Sequence, residues 1–144
     1  MSFQTTRDSI LSILELLKND RVYTPNLKRV YEFPPQTIQD QPCAILYGGS
    51  GEISHAYGGL VTVGDRGTER VRLLVQQEGR SFGVEKLLNL HYNFLSVMEN
   101  KGGLTSTSLA VVSRIVWEAP AAYVYGGPVD YAGMDYTIEF VLRD

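Results

Sequence analysis

The C-terminal stretch of the chain, residues 135–143, alternates its side chains with a period of two, and this pattern constrains the fold more than any other feature of the sequence. Residues 70–75 alternate in the same way, with one clearly apolar face and one mixed face. Successive side chains of a β-strand point to opposite faces, so this period predicts strands with one face in a core. The predicted core face of the last strand carries Tyr136, Ile138, Phe140 and Leu142.

Two other stretches have the spacing of amphipathic helices. Residues 6–18 form one apolar stripe, whereas residues 81–101 form two neighbouring stripes. Two stripes are wider than one sheet face usually needs, so we expect the second helix to bury apolar side chains on two sides. The pair Gly102-Gly103 predicts where this helix ends.

The remaining segments are defined by apolar runs and turn residues. Residues 42–47 predict a short buried strand, and Gly64-Asp65-Arg66-Gly67 predicts a hairpin turn between two extended segments. Residues 20–41 contain three prolines, which exclude a helix there. We therefore expect a long ordered surface loop with a short strand at 30–33.

Residues 109–116 also alternate and predict a strand, with both faces fairly apolar. The order of these elements is helix, strand, β-hairpin, helix, strand, strand. Consecutive strands are mostly joined by turns or loops, so the order predicts an α+β fold. We expect a mostly antiparallel mixed β-sheet with two main α-helices packed on one face. A chain of 144 residues suits a single domain over residues 1–144.

Charge and cysteine content exclude several broad classes of protein. The net charge is −3 and the basic residues are scattered, so the chain does not have the character of a general nucleic-acid binder. A single cysteine excludes a disulfide within the chain and favours a reducing compartment. No apolar run approaches the roughly 18 residues of a membrane helix, and the N-terminus lacks the layout of a signal peptide. We expect a protein that is made in a cytoplasm and has no membrane partner.

The motifs that would indicate catalysis are incomplete. Ser50 follows two glycines after a predicted strand, but the final glycine of a nucleophile elbow is absent and the following stretch is extended. No Gly-Lys-Ser or Gly-Lys-Thr sequence offers a phosphate-binding loop. His55, His91 and Cys43 are scattered along the chain rather than clustered as metal ligands. The prediction is therefore no catalytic residue, no cofactor and no metal.

The tyrosines are concentrated near the C-terminus. Tyr123, Tyr125, Tyr131 and Tyr136 fall within 14 residues, and residues 118–133 contain few charges and read as a long loop. Tyrosine buries a large apolar area and keeps one polar group, which suits a protein interface. The alternative is that these aromatics simply cover the end of the sheet. The glycines of this stretch predict a tight turn rather than a ligand-binding loop.

The ordered set of motifs resembles a known family. An amphipathic N-terminal helix precedes the strand "PCAILY" at 42–47 and the segment "RVRLLVQ" at 70–76. A long helix, a strand, the loop "YGGPVDYAG" at 125–133 and the strand "DYTIEFVL" at 135–142 follow. This order is similar to that of the tail terminator (tail completion) proteins of long-tailed bacteriophages. The likeness covers nearly the whole chain, and the tyrosine-glycine loop is its most specific part.

The resemblance implies a non-enzymatic structural protein without a cofactor. It implies a homo-hexameric ring whose one face sits on the tail tube protein and whose other face meets a head-completion or neck protein. Genomic DNA would pass through the ring lumen without being read in sequence. The protein would be assembled in the host cytoplasm and would reside in the virion, at the junction of tail and neck.

Only surfaces carry over from such a family, because it has no catalytic motif. We expect the tip at 64–67, the stretch 48–59 and the loop 118–133 to contact other chains. The predicted interface residues are Tyr57, Asp65, Arg66, Phe94, Tyr123, Tyr125 and Tyr131. Two alternatives stay open: another neck component, such as a stopper or adaptor, and an α+β ligand-binding domain or enzyme.

Overall fold

The computed structural model describes residues 3–52, 65–77, 82–100, 110–127 and 130–142. Two helices and seven strands lie in these ranges. In chain order they are α1 (Phe3–Leu16), β1 (Arg29–Tyr31), β2 (Cys43–Gly48), β3 (Gly51–Glu52), β4 (Asp65–Gln76), α2 (Phe82–Asn100), β5 (Ala110–Trp117), β6 (Ala121–Val124) and β7 (Asp130–Leu142).

The strands form one mixed sheet in the order β1-β2-β4-β7-β5, with β3 beside β4 and β6 beside β7. Its centre is the antiparallel pair β4 and β7, which runs from Asp65 opposite Leu142 to Gln76 opposite Tyr131. Among the described strands, β1 and β2 pair in parallel and the other pairings are antiparallel. The predicted α+β fold with a mostly antiparallel mixed sheet is confirmed.

Both helices pack on the same face of this sheet and enclose the main core. The apolar positions that alternate along β4, such as Leu73, point into it together with Ile138 of β7. Phe94 of α2 lies against Tyr136 of β7, with ring centroids 4.5 Å apart. Each fully buried large side chain of this kind stabilises the fold by roughly 1.5–3 kcal/mol. The helices therefore pack on the face where the alternation places these apolar side chains.

The two apolar stripes of α2 are buried to different degrees. One stripe points at the sheet and is buried along its length; it consists of Leu87, Leu90, Phe94 and Val97. In the neighbouring stripe, His91 and Met98 are buried, whereas Leu88 and Leu95 are half-buried at the flank of the core. The second stripe is therefore buried in part, and it extends the core sideways from the stripe that faces the sheet.

The predicted hairpin turn at 64–67 is wrong for its last three residues. Asp65, Arg66 and Gly67 lie in β4, and Gly67 is held between Gly51 of β3 and Phe140 of β7. Gly67 is also buried. A glycine can occur inside a strand where two backbones approach closely, as well as in a turn. Gly67 is paired with a strand on each side, so it lies in a strand and not in a turn. Gly64 lies outside the described residues.

The predicted long loop at 118–133 is also wrong. Residues 121–124 form β6, which pairs with the start of β7 from Ala121 opposite Gly133 to Val124 opposite Asp130. β5 and β6 therefore lie along the same edge of β7 as two parts of one hairpin arm. Pro120 separates them, because proline has no N–H to donate to a strand ladder. The proline made residues 118–133 look like a loop, so β6 was missed in the sequence.

The proline-containing segment 20–41 is anchored to the rest of the fold. Leu27 is fully buried in the main core, and the Lys28 amide donates to the Pro42 carbonyl at 2.7 Å. β1 follows as a short strand, close to the position predicted at 30–33. The segment is thus irregular but packed.

Candidate functional site

The face of the sheet opposite α1 and α2 holds a compact group of polar and aromatic side chains. We call it the tyrosine–arginine cluster: Tyr47, Arg72, Tyr123, Tyr125 and Asp135. Its members come from β2, β4, β6, the residue after β6, and β7. Leu73 and Tyr136 point to the helices, so their strand neighbours Arg72 and Asp135 point to the opposite face.

An ion pair forms the centre of the cluster. Arg72 and Asp135 are directly opposite in the β4–β7 ladder. The guanidinium donates from Nε to Oδ1 at 2.6 Å and from Nη2 to Oδ2 at 3.0 Å. Their side chains are only 17% and 16% exposed. A bidentate ion pair that is shielded from water in this way fixes the orientation of both side chains.

The three tyrosines surround this pair. The Arg72 guanidinium lies 3.7 Å from the ring centroid of Tyr123 and 4.8 Å from that of Tyr47. Arg72 Nη1 donates to the hydroxyls of Tyr125, at 2.8 Å, and Tyr47, at 3.0 Å, and these two hydroxyls are 2.6 Å apart. The Tyr123 hydroxyl donates to Asp135 Oδ2 at 3.3 Å. One arginine thereby joins strands that are far apart in the sequence.

The electrostatics of the cluster favour fixed protonation states. Burial opposes the charge on Arg72, but its hydrogen bonds to Asp135 and Tyr125 outweigh burial and raise its pKa. Burial, and then the hydrogen bond with Tyr125, raise the pKa of Tyr47. Burial also raises the pKa of Tyr123, helped by the nearby Asp135 charge. The arginine stays charged and these two tyrosines stay neutral near pH 7, so the cluster holds a shape rather than transferring protons.

A second, apolar cluster continues the same face. Cys43, Ile45, Leu74 and Tyr131 are buried there, and Tyr31 and Ile38 pack over them. The Tyr31 hydroxyl accepts a hydrogen bond from the Gln39 amide at 3.0 Å, which fastens the segment after β1 across this part of the sheet. Burial raises the pKa of the Cys43 thiol to about 12, as expected for an unreactive core cysteine.

The predicted interface residues are dispersed in the structure. Tyr123 and Tyr125 lie in the tyrosine–arginine cluster and are half-buried. Tyr131 belongs to the buried apolar cluster, and Phe94 is fully buried in the main core. Phe94 therefore offers no surface to a partner, because its helical stripe faces the sheet. Arg66 is exposed on β4 and Asp65 is the first residue of that strand; Tyr57 lies outside the described residues.

Sequence reasoning missed the two residues that organise the cluster. Arg72 and Asp135 each occupy the polar side of an alternating strand, which is the usual position of a solvated charge. The available signal was that they are opposite charges in the middle of two strands long enough to pair. Their register could not be assigned from the pattern alone.

The outer edge of β5 and β6 is a separate exposed feature. Within the described residues, no strand pairs with this edge. Val116 is 40% exposed and Trp117 is 46% exposed, and Val124 and Tyr92 are exposed as well. Trp117 contacts His91 with ring centroids 5.0 Å apart. An apolar strand edge of this kind is suited to pairing with another chain.

The motifs considered for catalysis lie apart from the cluster. The Ser50 hydroxyl is 3.2 Å from the Thr68 hydroxyl, at the edge of a 600 Å³ cavity between the ends of β4, β5 and β7. His91 Nδ1 is 2.5 Å from the Tyr136 hydroxyl in the core, and His55 lies outside the described residues. The described part of the chain contains no group of three metal-binding side chains. Neither α1 nor α2 is long and apolar enough to cross a membrane.

Comparison with known proteins adds no relative. No protein-family model matches the chain, and no curated protein shows significant similarity to it. The resemblance to tail terminators is therefore carried by the order and spacing of the sequence motifs alone.

Proposed function

We propose that the chain is the tail terminator of a long-tailed bacteriophage. In this proposal six copies form a ring that caps the tail tube and joins it to a head-completion or neck protein. Genomic DNA passes through the lumen without sequence-specific contacts. The role is structural rather than catalytic, and the assembled protein is part of the virion.

The tyrosine–arginine cluster is the observation that supports this proposal best. Tyrosine and arginine are enriched where proteins bind one another, because each combines a large contact area with hydrogen-bonding groups. Here Tyr123 and Tyr125 are half-exposed and already held by Arg72 and Asp135. A partner would lose little side-chain entropy on binding such a preformed surface.

The position of the cluster agrees with the motif order that suggested the family. Tyr125 and Gly126 begin the tyrosine-glycine segment before the terminal strand, and Gly126 has a φ of 70°, which glycine adopts without strain. A β-carbon at Gly126 would come within 3.2 Å of the Gln36 carbonyl oxygen. The turn therefore lies close against the proline-containing segment and is part of a rigid surface.

The proposal is tested by the assembly state of the full chain and by its binding to tail tubes. Electron microscopy and mass measurement should show a sixfold ring of 16.1 kDa subunits, alone or at the ends of added tubes. Tyr125→Ala should weaken binding to the tube or to the neck protein. Tyr125→Phe keeps the aromatic ring of the side chain and should weaken this binding less. A monomer that binds neither partner would contradict the proposal. Binding to the neck protein without binding to the tube would favour a stopper or adaptor instead.

A further inference from the structure

The outer edge of β5, with which no described strand pairs, presents the backbone groups of every second residue. The Glu118 amide donates to the Asp135 carbonyl of β7 at 3.1 Å. In an antiparallel ladder, each residue directs both its N–H and its C=O to one side, and successive residues alternate. Glu118, Val116 and Arg114 therefore direct their backbone groups to β7, whereas Trp117 and Ile115 direct theirs outward.

The side chains along this edge are complementary to themselves. If the sequence "RIVWE" at 114–118 is laid antiparallel to a second copy and centred on Val116, Arg114 comes opposite Glu118. Ile115 comes opposite Trp117, and Val116 comes opposite Val116. The outward-directed residues Ile115 and Trp117 thereby meet as hydrogen-bonded pairs, as the ladder requires. In this one register, opposite charges face each other, apolar side chains face each other, and the outward N–H and C=O groups can form hydrogen bonds.

The exposure of these side chains agrees with such a pairing. Arg114 has a side chain that is 69% exposed, and its contact with Glu139 at 3.6 Å is a surface ion pair of little energetic consequence. Glu118 is exposed as well. The break between β5 and β6 limits the pairing at one end, and the irregularity between Val112 and Arg114 limits it at the other.

We propose that β5 pairs antiparallel with β5 of a second copy of this chain, about a two-fold axis through Val116. This goes beyond the proposed function and does not depend on it. A two-fold contact closes on itself, whereas a ring of six built in one direction uses head-to-tail contacts. The two-fold dimer therefore forms between subunits that are not assembled in the ring. It covers an apolar strand edge that would otherwise pair nonspecifically.

Cysteine cross-linking in the full chain tests the register directly. In this arrangement the two Val116→Cys side chains face each other across a pair whose Cα atoms are about 4.5 Å apart, which suits a disulfide. The matched control is Arg114→Cys, because residues 114 of the two copies would be about 14 Å apart. The native Cys43 is buried and does not compete. Oxidation should link Val116→Cys into covalent dimers and leave Arg114→Cys without a cross-link.

A charge exchange tests the same contact without new bonds. Arg114→Glu places like charges opposite Glu118, at two symmetric places in each dimer, and should weaken dimerisation about tenfold in sedimentation equilibrium. The double variant with Glu118→Arg restores opposite charges and should restore the dimer. Recovery in the double variant would not be expected if Arg114→Glu only damaged the fold.

The outcomes separate this inference from the proposed function. Equal cross-linking at both positions, no cross-linking at either, or a monomer throughout the micromolar range would overturn the inference. A ring of six whose unassembled subunits also give no Val116→Cys cross-link would overturn the inference while leaving the proposed function standing. A Val116→Cys variant that cross-links on oxidation but, after reduction, forms no ring and joins no tails would support the inference and count against the proposed function.

Discussion

Arg72 of β4 and Asp135 of β7 lie directly opposite each other on adjacent strands and form a bidentate ion pair on the sheet face opposite α1 and α2. The same guanidinium bonds the hydroxyls of Tyr47 and Tyr125, so it links β2 to the turn after β6. This pair is therefore central to the shape of the surface that we propose as an interface. A defect here should affect stability and binding together.

Asp135→Asn should lower the free energy of unfolding by about 2–3 kcal/mol, because it leaves a largely buried arginine charge without its partner. Urea denaturation of the full chain measures this loss. The matched control is Glu139→Gln, whose partner Arg114 is exposed; its cost should be below about 1 kcal/mol. Equal costs for both variants would contradict the central role of the Arg72 pair.

Gly49→Ala should destabilise the chain by about 2 kcal/mol or more, because a β-carbon at Gly49 would lie 1.8 Å from the Thr68 carbonyl oxygen. The backbones of β3 and β4 would have to separate. Gly127→Ala is the control, since a β-carbon there meets no atom within 4 Å. Thermal unfolding should show a clear loss for Gly49→Ala and a change within about 0.5 kcal/mol for Gly127→Ala.

Acidification should weaken the fold through His91. Burial lowers the pKa of His91 in the folded chain, so the unfolded chain binds a proton more readily. Stability is then fully present above the ordinary pKa of 6.5 and falls as the pH drops through and below that value. His91→Gln should flatten this part of the curve of unfolding free energy against pH. A slope that is the same in both proteins would show that other groups cause it.

Phe94→Ala should cost about 3–5 kcal/mol of stability, because the ring is fully buried against Tyr136. The control on the same helix is the exposed residue Ser96, whose change to alanine should have an effect within about 0.5 kcal/mol. Circular dichroism during urea titration separates the two. If Phe94→Ala folds normally and fails only in assembly, the placement of Phe94 in the core is wrong.

Local periodicity was sufficient for most of the secondary structure. The predicted strand at 135–143 is β7 as far as Leu142, and the helix predicted at 81–101 is α2 over Phe82–Asn100. Tyr136, Ile138 and Phe140 do face the core. These predictions succeeded because burial of one face depends on spacing within a single element, which the sequence displays directly.

The hairpin turn and the long loop were wrong for a different reason. Gly67 and Pro120 have a strong local preference for turns, but Gly67 is paired on both sides and the residues after Pro120 rejoin β7 as β6. Strand pairing is decided by partners elsewhere in the chain, so local preference at a glycine or proline was overridden. The dispersal of the predicted interface residues has the same origin.

By itself, the sequence determined an α+β chain with two apolar helices and strands that each have one face to bury. Only the tertiary structure decided that Arg72 lies opposite Asp135, that Tyr47 contacts Tyr125, and that no described strand pairs with the outer edge of β5. The physical reason is range. Hydrophobic spacing acts over a few residues, whereas a register that joins residues 63 positions apart depends on how all strands pack at once.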